Sequence, residues 1–108
     1  MGGGDDRSTF TLSALSANLG PSLDLLRQIV REPAFNPADI ERVRAQTLTS
    51  IRAAMRSPEG IARRTASPAI FGASPYGGVP SVASVSSITR DDLIAFKDSW
   101  IRPDNAEI

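Results

Sequence analysis

Apolar side chains recur at intervals of three and four along most of this chain and alternate strictly with polar ones only once. The alternating stretch is residues 8–16, STFTLSALS, where Phe10, Leu12 and Ala14 fall on one side and Thr9, Thr11 and Ser13 on the other. A period of two predicts a half-buried strand. It is the one clear strand of the sequence, and a single strand cannot satisfy its own backbone donors and acceptors. Its partner is therefore expected either in missing sequence or on another molecule.

Four helices are predicted around it. Asn18 opens the first, which carries Leu23, Leu26, Ile29 and Val30 on one face and ends before Pro33, because a residue preceding proline is pushed out of the helical region. The second runs from Phe35 to Met55 and is the best marked. Asn36 is placed as its N-cap, Pro37 at the first helical position and Asp39 in the first turn, where a carboxylate faces unpaired amides. Ile40, Val43, Thr47, Leu48, Ile51 and Met55 form its apolar stripe, with Arg42, Arg44, Gln46, Thr49, Arg52 and Arg56 between them. Phe35 is positioned to staple onto Ile40, and the short Glu32–Phe35 turn favours an antiparallel pair of helices. Ser57-Pro58 opens a third helix reaching roughly to Phe71, in which Pro68 is expected to cause a kink or an early stop. Residues 72–87 are rich in Gly, Pro, Ser and Ala and predict a long surface loop around Tyr76. Thr89 with Asp91 and Asp92 starts a fourth helix bearing Leu93, Phe96, Trp100 and Ile101, which Arg102-Pro103-Asp104-Asn105 stops. Residues 1–7 behave as a linker; Met1-Gly2-Gly3-Gly4 suggests an added boundary, and Ala106-Glu107-Ile108 suggests the first residues of another strand.

Composition narrows the chemistry. With 108 residues the chain fits one small domain. Twelve basic residues balance twelve acidic ones, which argues against a nucleic-acid partner, and no apolar run is long enough for a membrane span. There is no histidine and no cysteine. Carboxylates and carbonyls alone suit calcium, magnesium or manganese, so a self-contained zinc site is excluded. The serines have no histidine to activate them. Absence of cysteine is compatible with every compartment, and a periplasmic or otherwise exported parent fits as well as any other. Asp91 and Asp92 are adjacent on a helix and read as caps, not as a catalytic pair. Phe96 and Trp100 read as buried stripe residues, Tyr76 as an anchor for its loop, and the arginine-rich helix surface as a solvated face.

Four pieces taken in order resemble the pitrilysin/insulinase peptidases, the inverzincins related to mitochondrial processing peptidase. They are Arg31-Glu32-Pro33-Ala34-Phe35, Ser74-Pro75-Tyr76-Gly77, Ile88-Thr89-Arg90-Asp91-Asp92-Leu93 and Arg102-Pro103-Asp104-Asn105-Ala106. The resemblance implies an α+β fold: a mostly helical fragment, with about four helices and one strand, of a two-layer metallopeptidase-like domain. Residues 8–108 would be the second half of one such domain, incomplete at both ends. Active domains of the family carry His-x-x-Glu-His in the first half, and that motif is absent here. They also carry a glutamate ligand about fifteen residues after the Phe of the Pro-x-Phe turn and another seven residues earlier. Those positions fall on Ser50 and Val43, so the resemblance implies an inactive domain with no metal of its own, zinc being held by the catalytic domain of the parent. Ser74 stands where the family usually has histidine, which puts that loop's conformation in question. The implied role is to enclose peptide substrate and pack against the catalytic domain. Independently of the resemblance, the lone strand at residues 8–16 and the uncovered apolar helix faces predict self-association, with the strands of two copies pairing across a two-fold axis. The alternative function is a helical interaction module that binds an acidic partner through its arginine-rich face.

Overall fold

The computed structural model describes residues 2–4 and 6–107. It is mostly helical. In chain order the elements are β1 (Gly2–Gly3), β2 (Ser8–Thr9), α1 (Leu19–Arg31), α2 (Pro37–Ala54), α3 (Pro58–Phe71), α4 (Val82–Ser87) and α5 (Arg90–Trp100), with 3-10 turns at Ser16–Asn18, Pro75–Gly77 and Pro103–Asn105. The residues fall into two compact units, Met1–Phe35 with Ile94–Ile108, and Asn36–Leu93.

The first unit departs most from expectation. Ser8 and Thr9 pair antiparallel with Gly3 and Gly2, and beyond Thr9 the ladder stops. Residues 10–15, predicted to continue the strand to Ser16, have no ladder partner among the described residues. The alternation was real, since Phe10 and Leu12 are half-buried while Thr11 and Ser13 are exposed. A strand nevertheless exists only where a second backbone lies alongside it. The expected mostly helical fragment is what is observed, and the correction to the α+β class lies in its one strand, which shrinks to a two-residue ladder. Asn18 does stand at the start of α1, but its side chain makes no capping hydrogen bond. The preceding 3-10 turn delivers the chain instead, with the Asn18 amide donating to the Leu15 carbonyl at 2.8 Å. Val30 and Leu26 are half-buried on α1 while Leu19, Leu23, Leu25 and Ile29 remain exposed.

The second unit follows its sequence signals closely. Asn36 caps α2 by accepting from the Ala38 amide at 3.0 Å, with Pro37 behind it and Asp39 in the first turn. The residue before the cap, Phe35, adopts φ 43, a left-handed conformation uncommon for a bulky side chain. The α2 stripe of Ile40, Arg44, Thr47, Leu48 and Ile51 turns inward, and Ile51 is the one buried apolar residue among the described residues. Ser57 caps α3 as predicted, its Oγ accepting from the Gly60 amide at 3.0 Å. Pro68 does not end α3, which continues to Phe71.

Glycine sets the closest approaches in this unit. A Cβ on Gly60 would overlap the carbonyl oxygen of Ala54, so the first turn of α3 rests directly on the last turn of α2. A Cβ on Gly77 would overlap the carbonyl of Gly72, which itself sits at φ 58. Residues 72–87 are consequently not a featureless loop. They form a tight reversal through Pro75–Gly77, then the short α4, closed by a capping box in which Ser81 Oγ accepts from the Ser84 amide at 3.0 Å and the Ser81 amide donates to Ser84 Oγ at 2.9 Å.

Adding a methyl at either close approach should force backbone apart. Gly60→Ala and Gly77→Ala are each expected to destabilise the chain by about 1–3 kcal/mol, measured by urea unfolding, whereas Gly20→Ala, where a Cβ meets nothing within 4 Å, should leave stability unchanged or raised.

Candidate functional site

The residues singled out from the sequence lie on α2 and on the segments it holds. Val43 and Ser50 are seven residues apart, two turns of helix, and so share a face. Both are on the exposed side of α2, Val43 being 51% exposed. Ser50 Oγ donates to the Gln46 carbonyl at 3.1 Å, and Thr47 Oγ1 and Thr49 Oγ1 donate in the same way to the carbonyls of Val43 and Ala45, each at 2.9 Å. This back-bonding is ordinary for hydroxyls inside a helix. Ser50 therefore spends its one donor on its own helix. Among the described residues, no three acidic side chains come together in a way that could hold a metal ion.

The electrostatics of α2 are organised by Arg44. Its side chain is only 17% exposed. Nε donates to Glu41 at 3.1 Å, Nη1 to the carbonyls of Val85 at 2.6 Å and Ser86 at 3.2 Å, and Nη2 to the carbonyl of Ile88 at 2.8 Å. These are the last carbonyls of α4 and of the segment leading out of it, which lack intrahelical donors and carry the negative end of the helix dipole. One planar guanidinium satisfies several of them at once. Arg64 does similar work, donating to the Pro80 carbonyl at 2.8 Å. The expectation of a solvated arginine face is thus corrected for these two: they hold the segment between α3 and α5 in place. Arg42 and Arg63 fit it better, forming exposed ion pairs with Asp39 and Glu59 on their own helices, worth a few tenths of a kcal/mol each at ~0.3–0.5. Sequence reasoning missed Arg44 by grouping it with the polar residues between the stripe positions; the signal that could have found it is its register with Ile40 and Ile51.

Asp92 completes the cap of α5 with Thr89, and Asp91 lies beside it in the first turn. The Asp92 carboxylate accepts from the Thr89 amide and hydroxyl, each at 2.7 Å, while the Asp92 amide donates to Thr89 Oγ1 at 3.2 Å. The backbone hydrogen bond from Thr89, aided by its hydroxyl, holds the Asp92 carboxyl below the usual aspartate range. Tyr76 meets Phe71 with ring centroids 6.0 Å apart and planes tilted by 52°. It remains 46% exposed, so the loop is anchored by glycine packing and this ring pair rather than by a buried phenol. Phe96 and Trp100, expected to be buried, are 55% and 60% exposed. Leu93, Ile94 and Lys97 take the half-buried side of α5, which Ile101 continues just past its end, leaving the two rings on the flank beside it.

Truncation of Arg44 should expose its role. Arg44→Ala is expected to cost about 1–2 kcal/mol, since it removes charged hydrogen bonds to three carbonyls of which water can reach the exposed ones, and to raise amide exchange in α4. Arg44→Lys should recover little, because a point charge cannot reach the same acceptors together. A second outcome concerns pH. Asp92 has a folded-state pKa below its unfolded value of about 3.9, so its stabilising effect is complete above that value and is lost as pH falls through the lower, folded-state pKa. An acid titration followed by NMR should therefore show the first turn of α5 loosening below about pH 4, with the dependence removed in Asp92→Asn.

A family profile described as Insulinase (Peptidase family M16) matches residues 4–78. That span includes Arg31–Phe35 and Ser74–Gly77, whereas the pieces at 88–93 and 102–106 lie beyond it. Comparisons with curated proteins and with solved structures give no match. The match covers well over half of the chain, which belongs to the insulinase family, a family of zinc metallopeptidases.

Proposed function

We propose that this insulinase-family chain is the second half of a non-catalytic domain, one that helps to enclose peptide substrate while zinc chemistry takes place in another domain of the same protein. The observation that carries the reading is the register from Phe35. Where the active members of the family place glutamates, this α2 has Val43 and Ser50, and the chain has no histidine or cysteine with which to build a different zinc site. Confinement is the mechanism: a peptide held near a metal in a neighbouring domain reacts more often because its position is restricted.

The surface supports the same reading. Leu15 ahead of α1, Leu19, Leu23 and Ile29 along it, Phe96 and Trp100 on α5, and Ile61, Ile70 and Phe71 on α3 are all about half exposed or more. Apolar exposure on that scale marks surfaces made to be covered. The covering partners in this proposal are the remainder of the domain and the catalytic domain, and in a pure solution of the chain, a second copy of it.

One set of samples tests the proposal. Metal analysis and calorimetry should find no stoichiometric zinc on the chain or on its Val43→Glu, Ser50→Glu variant, while the catalytic domain of the full-length protein binds zinc and hydrolyses peptide. Sedimentation of the same chain should show association rising with concentration. Tight stoichiometric zinc on the chain itself would overturn the non-catalytic reading, and a monomer at every concentration would remove self-association from it.

A further inference from the structure

Six arginines on α2, α3 and the turn between them suggest a basic face, and the structure separates them. Arg42 and Arg63 are paired with carboxylates on their own helices, and Arg44 and Arg64 are committed to backbone carbonyls. The side chains of Arg52 and Arg56 make no hydrogen bond or ion pair among the described residues, and both residues are exposed. They are four residues apart, Arg52 in the last turn of α2 and Arg56 in the turn just beyond it, where the Arg56 amide still donates to the Ala53 carbonyl at 3.0 Å. Like charges at this spacing repel. The dipole at the end of α2 favours a cation, and Arg52 in the last turn already provides it. No acidic residue lies between Glu41 and Glu59 to offset the pair. The neighbouring strip is made of the short, exposed side chains of Ala45, Thr49 and Ala53, and the Thr49 hydroxyl is turned onto its own helix. A backbone can therefore come close beside two free guanidiniums.

We propose that Arg52 and Arg56 form a clamp for the carboxylates of an acidic peptide segment. Each guanidinium offers a fork of donors that matches a carboxylate, and the pair at one-turn spacing reaches two acidic side chains of one extended segment. A peptide is favoured over nucleic acid because the chain's twelve basic residues are matched by twelve acidic ones, which leaves no broad positive field to follow a phosphate backbone. The proposal is independent of the enclosing-domain reading, since it requires only this surface.

The test is fluorescence anisotropy with a labelled oligoglutamate peptide at low ionic strength, on the full 108-residue chain. Saturable binding that weakens with salt is expected, with affinity lower by about tenfold in Arg52→Gln and in Arg56→Gln, as for loss of a charged hydrogen bond. Arg42→Gln, which removes a cation that already has a partner, should bind like the unaltered chain. Arg52→Lys should fall between, keeping charge but not the fork. Circular dichroism confirms that each variant keeps its helices. Absence of binding, an equal loss in Arg42→Gln, or equal binding of an oligodeoxynucleotide of the same charge would each overturn the proposal.

Discussion

One guanidinium decides how the second unit is put together. Arg44 arises from the middle of α2, is kept in position by Glu41, and ends among the carbonyls that close α4 and lead on to α5. A six-residue helix has almost no stability of its own, because nucleation costs more than so few hydrogen bonds return. α4 persists because both of its ends are held, the first by the Ser81 and Ser84 exchange and the last by Arg44. With α4 fixed, Thr89 and Asp92 are delivered where they can close the start of α5. The order of the segment after α3 is thus set largely by polar contacts, in a chain with one buried apolar residue among those described.

This balance explains what could be foreseen from the residues. Caps and prolines act over three or four positions, so Asn36-Pro37, Ser57-Pro58 and Thr89-x-x-Asp92 placed the starts of α2, α3 and α5 correctly. The strand from Ser8 to Ser16 failed because alternation records which side of a segment faces apolar surroundings, and cannot supply the second backbone a ladder needs. Residues 72–87 were misjudged for the opposite reason. Their composition is that of a loop, yet Gly72 and Gly77 use the absence of side chains to pack backbone on backbone, and serine substitutes for the missing backbone partners of α4. Pro68 was expected to kink or stop α3, and it does not stop it: the helix runs on to Phe71, although the missing amide leaves one turn without its usual donor.

The two positions that the resemblance assigns to the family's glutamates can be located from the chain alone. Counting residues from Phe35 to Ser50 and back to Val43 needs only the family register, and α2 does place both on one face. What the count could not show was the division of labour among the arginines. Arg44 and Arg64 contact carbonyls 41 and 16 positions away, a pairing that no local pattern encodes. The exposure of Phe96 and Trp100 was hidden for a related reason: an apolar stripe states what a helix can bury, not what lies opposite it.

The backbone contacts at Gly60 and Gly77 also bear on how such a chain can diverge. Where helices meet through interlocking side chains, a change on one is absorbed by a change on the other, and the identities of both drift together. Here the meeting is between a glycine and a carbonyl oxygen, and no substitution of a neighbour makes room for a Cβ. The half-exposed leucines and isoleucines have latitude to exchange among themselves as their covering surfaces change. The two glycines do not, so the shape of this unit is tied to two positions with no side chain at all.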